Sequence, residues 1–156
     1  MKHVLPLLGC LLAFFCLTAC GKTAQVSDEV SDVTVSDYAE VTFQVKYCNA
    51  DAVTYTVCST RENFLFYEGH GFAYVEKYVD GSWHPLVQQP YVSTGDFIWA
   101  AIPTEETQET ISIQYEYGGK LEKGTYRLLA PCSLSADPDA VSSDLKVYLA
   151  AEFEIG

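Results

Sequence analysis

Alternation with a period of two residues runs through most of this chain and restricts it to a sheet-built fold. Val41, Phe43, Val45 and Tyr47 alternate with Thr42, Gln44 and Lys46, and Val53, Tyr55 and Val57 alternate with Thr54, Thr56 and Cys58. The same pattern returns in Ile111, Ile113, Tyr115 and Tyr117, and in Leu145, Val147, Leu149, Ala151, Phe153 and Ile155. Successive side chains of a strand point to opposite faces, so such alternation predicts antiparallel strands with one face buried. Further strands are expected at 71–79, 83–87, 97–102 and 125–131. Asp80-Gly81-Ser82, Gly118-Gly119 and Lys123-Gly124 mark turns between them. No segment after residue 20 sustains a helical period with caps, so helix is expected for a turn or two at most. Seven to eight short strands separated by turns predict an all-β fold, a sandwich or a barrel.

The amino terminus has a different logic. Met1-Lys2-His3 is a small basic start, and Val4 to Thr18 is an apolar run of 15 residues interrupted by Pro6. A membrane-spanning helix needs about 20 such residues. The run suits the apolar core of a secretory signal instead. It closes on Leu17-Thr18-Ala19-Cys20, the layout of a lipobox, in which a thiol at the future amino terminus accepts a diacylglycerol through a thioether. The reading is therefore a lipoprotein: residues 1–19 are removed, Cys20 carries the lipid, and the protein sits at the cell membrane facing away from the cytoplasm. Two acyl chains hold a protein stably where one does so marginally. The other reading is an ordinary secretory signal with Cys20 as a bystander.

Residues 20–38 are expected to form a flexible acidic linker. Val-Ser-Asp occurs three times, at 26–28, 30–32 and 35–37, with no large apolar side chain before Tyr38. A composition so poor in bulky apolar groups does not fold alone. As a coil it would hold the following domain, residues 39–156, about 20–25 Å from the bilayer.

Lys2 is the only charged residue of the leader, so the mature 137 residues carry 8 basic against 21 acidic side chains, a formal balance of −13. That disfavours nucleic acid, whose phosphates demand Lys and Arg. It also disfavours docking on anionic lipid. Cys10 and Cys16 leave with the leader, and Cys48, Cys58 and Cys132 remain beside the lipidated Cys20. A Cys48–Cys58 disulfide and free thiols both stay open at this level. Isolated Cys and the two mature His, His70 and His84, are weak grounds for zinc. Asp137, Asp139 and Asp144 share one loop, but the spacing lacks the glycine and closing Glu of an EF-hand, which favours a solvated acidic loop. No nucleophile elbow, zinc-protease helix or phosphate-cradling loop occurs, so no enzyme and no small-molecule cofactor is expected.

Aromatic side chains are the surplus: 11 Tyr, 8 Phe and 2 Trp. Phe64, Phe66, Tyr67, Phe72 and Tyr74 crowd one Gly-containing stretch, and Tyr91, Phe97 and Trp99 form a second group. Some must fill the core. Those left over, with Phe64, Phe66, Tyr67, Phe72, Tyr74 and Trp99 as candidates, would offer a binding face for a protein or a glycan.

Val75, then Asp80-Gly81-x-Trp83-x-Pro85-Leu86, forms a strand and tight turn with a Trp expected to pack across the sheets. A second segment runs from Ile111-x-Ile113 through Tyr117-Gly118-Gly119 and Leu121 to Lys123-Gly124-Thr125-Tyr126-Arg127-Leu128, with Phe153-x-Ile155 at the end. In order and spacing the two resemble a bacterial immunoglobulin-like domain family carried by extracytoplasmic proteins of Gram-positive bacteria. In that second segment Tyr126 is similar to the tyrosine-corner residue of immunoglobulin-like sandwiches, whose hydroxyl bonds back to the preceding connection. Leu128 stands where antibody-type domains carry a Cys, so no inter-sheet disulfide is implied. The resemblance covers residues 39–156 and implies a sandwich of that type. It says almost nothing of function and carries over no catalytic residue; a displayed module of this kind is expected to serve protein interaction, or to be a spacer or accessory subunit of an envelope complex.

Overall fold

The computed structural model describes residues 21–61, 65–68, 73–90, 99–134 and 146–156. Among them are nine strands and one short helix. The strands are β1 (Val41–Cys48), β2 (Ala52–Ser59), β3 (Leu65–Glu68), β4 (Tyr74–Val79), β5 (Ser82–Pro85), β6 (Trp99–Ala101), β7 (Thr107–Ser112), β8 (Gly124–Leu134) and β9 (Lys146–Ile155), and α1 is Ile113–Tyr117. They form an all-β, antiparallel sandwich. One sheet has the order β1-β2-β7. In the other, β8 pairs with β9 along one edge and with β4 and then β3 along the opposite edge; β5 extends β4, and β6 extends β3. Pro131 lies between Leu129, the last residue of β8 paired with β4, and Cys132, where β3 is the partner. A residue without an N–H is best tolerated at such a break.

The core lies between the sheets, where Val53, Tyr55, Ile111 and Ile113 meet Val75, Tyr126, Leu128, Phe153 and Ile155. A second group of Val57, Ile102, Ala130, Cys132 and Leu149 continues it. The β4–β5 turn has two central residues, Asp80 at φ 50° and Gly81 at φ 91°. Positive φ at both positions fits the right-handed twist of the flanking strands, and Asp-Gly is the dipeptide that adopts it most readily.

Two strand expectations need correction. Tyr47 does not share the inward face of Val41, Phe43 and Val45: the β1–β2 register shifts between Val45 and Tyr47. One extra residue reverses the phase of the strand. Tyr47 is therefore 61% exposed, while Cys48 packs on the core. Likewise Ile111 to Tyr117 is not one strand. β7 ends at Ser112, whose hydroxyl caps α1 by accepting from the Tyr115 N–H at 3.4 Å, and Gly118 closes α1 at φ 69°. Ile113 and Tyr117 lie four apart and both are buried, which suits one helix face as well as a strand. The Tyr117 hydroxyl accepts from the Val75 N–H at 2.9 Å, tying this connection to β4.

A third correction is larger. Residues 21–37 do not run free as a coil. The Ala24 N–H donates to the Lys120 carbonyl (2.9 Å), Ser27 to Pro85 (2.8 Å), Ser31 to Trp83 (2.8 Å) and Ser36 to Tyr148 (2.9 Å). The segment thus lies along β5, reaches the outer surface of the larger sheet near Ser31, and joins β9 at Val35. The physical reason is that β5 and β9 each leave a row of backbone donors and acceptors, and any extended chain satisfies it whatever its side chains. Composition does not register such bonds.

Candidate functional site

Alternation along β4, β8 and β9 sends Val75, Tyr126, Leu128, Ala151 and Phe153 inward. The outer face of the larger sheet then holds Tyr74, Glu76 and Tyr78 on β4, Thr125, Arg127 and Leu129 on β8, and Tyr148 and Glu152 on β9. Three features give this face its chemistry.

The first is a buried ion pair. Arg127 and Glu76 are opposite each other in the β4–β8 register, and the guanidinium reaches Glu76 Oε2 through both Nε and Nη2 at 2.6 Å. Their side chains are only 9% and 3% exposed. Arg127 Nη2 also donates to the Ser31 hydroxyl at 3.3 Å, and its guanidinium carbon stands 4.7 Å from the centre of the Trp83 ring. Strand, indole and N-terminal segment therefore converge on one cation.

The second is a groove of about 250 Å³ between residues 29–33 and the sheet, floored by Tyr74, Glu76, Leu129 and Tyr148 with Pro85 at its side. The third is a more open cleft of about 390 Å³ formed by Tyr78, Trp83, Thr125 and Glu152. Tyr78 and Trp83 are cross-strand partners with ring centres 5.0 Å apart, tilted by 56°. Tyr78 is 46% exposed and the Glu152 carboxylate is exposed. The neighbouring Thr125 hydroxyl donates to Glu154 at 3.4 Å.

The residues singled out from sequence fall in different places. Tyr74 opens β4, half-buried beside the N-terminal segment. Phe66 and Tyr67 lie on β3 opposite Ala101 and Ala100, and Trp99 lies on β6 opposite Glu68, so the fold brings these backbone positions together. Phe64, Phe72, Cys20, His70 and the loop Asp137 to Asp144 lie outside the described residues. Trp83, expected to pack across the sheets, sits on the outer face with Tyr78 and Arg127; its place opposite Tyr78 puts it one side chain out of phase with Val79 and the core. Tyr78, Thr125 and Glu152 were missed. The available signal was that Tyr78 and Glu152 occupy polar-phase positions of alternating strands, where an aromatic beside a carboxylate has no packing reason to be.

Tyr126 donates through its hydroxyl to the Glu122 carbonyl at 2.9 Å, a bond worth about 1 kcal/mol. Its ring stacks on Phe153 at 5.6 Å. Burial raises the Tyr126 phenol above its ordinary pKa, which keeps it a donor. Cys48 and Cys58 are both free: Cys48 pairs with Val53 and Cys58 with Thr42, so the hairpin register holds them near opposite ends of β1. The Cys132 thiol is buried and its pKa is pushed up to about 12 by that burial, so it stays protonated and is no nucleophile. His84 Nδ1 lies 3.1 Å from the Ser27 carbonyl. Among the described residues no three His, Cys, Asp or Glu side chains gather as metal ligands, and no helix is long and apolar enough to cross a membrane.

No family model, no curated protein and no solved structure matches this chain.

Proposed function

We propose that this chain is a membrane-anchored extracytoplasmic lipoprotein that displays an immunoglobulin-like module for protein interaction, as a binding subunit of an envelope complex rather than an enzyme. The observation that carries the reading is the contrast between the edges and the outer face of the larger sheet. Residues 26–36 pair with β5 and β9 and so occupy the open edges of those two strands, where a partner could otherwise add a strand. Tyr78 is exposed and Trp83 half-buried in an open cleft, and aromatics of this kind are enriched where proteins meet partners. The lipobox at Leu17 to Cys20 and the apolar leader support the anchor. A Cys20 lipid also alters the geometry expected of a spacer. Docking begins at Lys22, two residues on, whose carbonyl accepts from the Lys120 N–H, so the module is held within roughly 7 Å of the acylated residue even at full extension. A second reading, a carbohydrate-binding surface lipoprotein, rests on the same exposed rings, which would stack on a sugar.

Replacing Cys20 with Ser tests the anchor. The variant is expected in the soluble fraction, or in the membrane fraction as uncut precursor. Normal processing with unchanged membrane retention contradicts lipidation.

A further inference from the structure

The chemistry of the cleft names its ligand more narrowly than the display reading on which this inference rests. We infer that the cleft between Tyr78, Trp83, Thr125 and Glu152 receives a basic side chain, an arginine or lysine, from an extended segment of a partner protein.

Three observations lead there. The Trp83 ring already stands 4.7 Å from a guanidinium, that of Arg127. An aromatic face attracts cations through its quadrupole. Next, the carboxylates around the cleft are uncompensated. In register Glu152 is the β9 partner of Arg127, but that guanidinium is engaged by Glu76 on the other side. Glu152, and Asp80 in the β4–β5 turn, are exposed, and neither has an ion-pair partner among the described residues. Arg127, the cation that the described residues place on this face, is therefore neutralised by Glu76, and Glu152 leaves the cleft negative. A cationic ligand gains from both the rings and Glu152, and such complementarity sets specificity and speeds encounter. Finally, about 390 Å³ open to solvent accommodates a long side chain with room for its flanking backbone. A neutral sugar could stack on the rings and donate hydroxyls to Glu152, but it would gain nothing from the negative charge, as a cation does.

The test is a tryptophan-fluorescence titration of the detergent-solubilised full chain, carrying Trp99→Phe so that Trp83 alone reports. An oligo-arginine peptide should change the emission saturably, with affinity falling as salt rises. Glu152→Gln and Tyr78→Ala should each weaken it by about tenfold or more. Glu105→Gln, an equal charge change on the exposed connection before β7, should leave it unchanged, which separates the cleft from the general acidity of the chain. Equal binding by wild type and Glu152→Gln overturns the inference. A response to neutral oligosaccharides with none to the peptide also overturns it, in favour of the glycan reading, and leaves the display of a binding module standing. No response to either ligand overturns it as well, while the Cys20→Ser fractionation still decides the anchor.

Discussion

Arg127→Met should destabilise the domain by roughly 3–5 kcal/mol, because it leaves the Glu76 carboxylate buried without its partner. The loss comes from several contacts at once. Glu76 is 3% exposed at its side chain and both of its bonds to Arg127 end on one oxygen. The same substitution removes the cation from the Trp83 face and the donor from Ser31. Against a total stability of about 5–15 kcal/mol for a domain of ordinary size, the urea midpoint should fall by a large fraction. The double variant Glu76→Met/Arg127→Met should recover most of the loss, since a buried pair replaced by apolar side chains is often neutral. A single variant that loses less than about 1 kcal/mol would mean that water reaches Glu76.

Gly119→Ala should lift the start of the N-terminal segment off the domain. A Cβ at this position would lie 2.3 Å from the Thr23 carbonyl carbon, 2.4 Å from the Ala24 nitrogen and 2.6 Å from the Lys22 oxygen. All three are backbone atoms, so no side-chain rotation relieves the clash. Overpacking of this kind costs about 1–3 kcal/mol, and here undocking residues 22–24 is the available escape. Trypsin cleavage after Lys22 should accelerate by roughly tenfold, the factor that about 1.4 kcal/mol brings. Gly21→Ala is the control: its Cβ would meet only the Lys120 side chain, at 3.3 Å, and a flexible lysine moves aside. Equal cleavage rates in the two variants would contradict the docking at Lys120.

What the sequence discloses follows which forces leave a mark on side chains. Burial does, and so the alternations at 41–45, 53–57 and 147–155 mark β1, β2 and β9 directly. Turn chemistry does too, and Asp80-Gly81 gives the β4–β5 hairpin its position. β3 escaped because Leu65, Phe66 and Tyr67 form an unbroken apolar run, which alternation cannot identify as a strand. The bulge before Tyr47 and the switch from β7 to α1 escaped because each changes the phase while keeping the residue types. The docking of residues 21–37 depends on main-chain bonds that any residue but proline can make, and Val-Ser-Asp looks the same paired or solvated. The candidate face was legible only in kind: an aromatic surplus beyond what a core consumes was visible, but its place at Tyr78 and Trp83, next to Glu152, emerges only when three strands are set side by side.

The N-terminal segment belongs to the fold, closing the β5 and β9 edges and leaving the cleft open. Amide hydrogen exchange of the wild-type chain reads this directly. The N–H groups of Ala24, Ser27, Ser31 and Ser36 each donate to a backbone carbonyl of the domain and should exchange more slowly than the unpaired chain by about tenfold or more. Exchange of all four at the rate of an unstructured peptide would contradict the account.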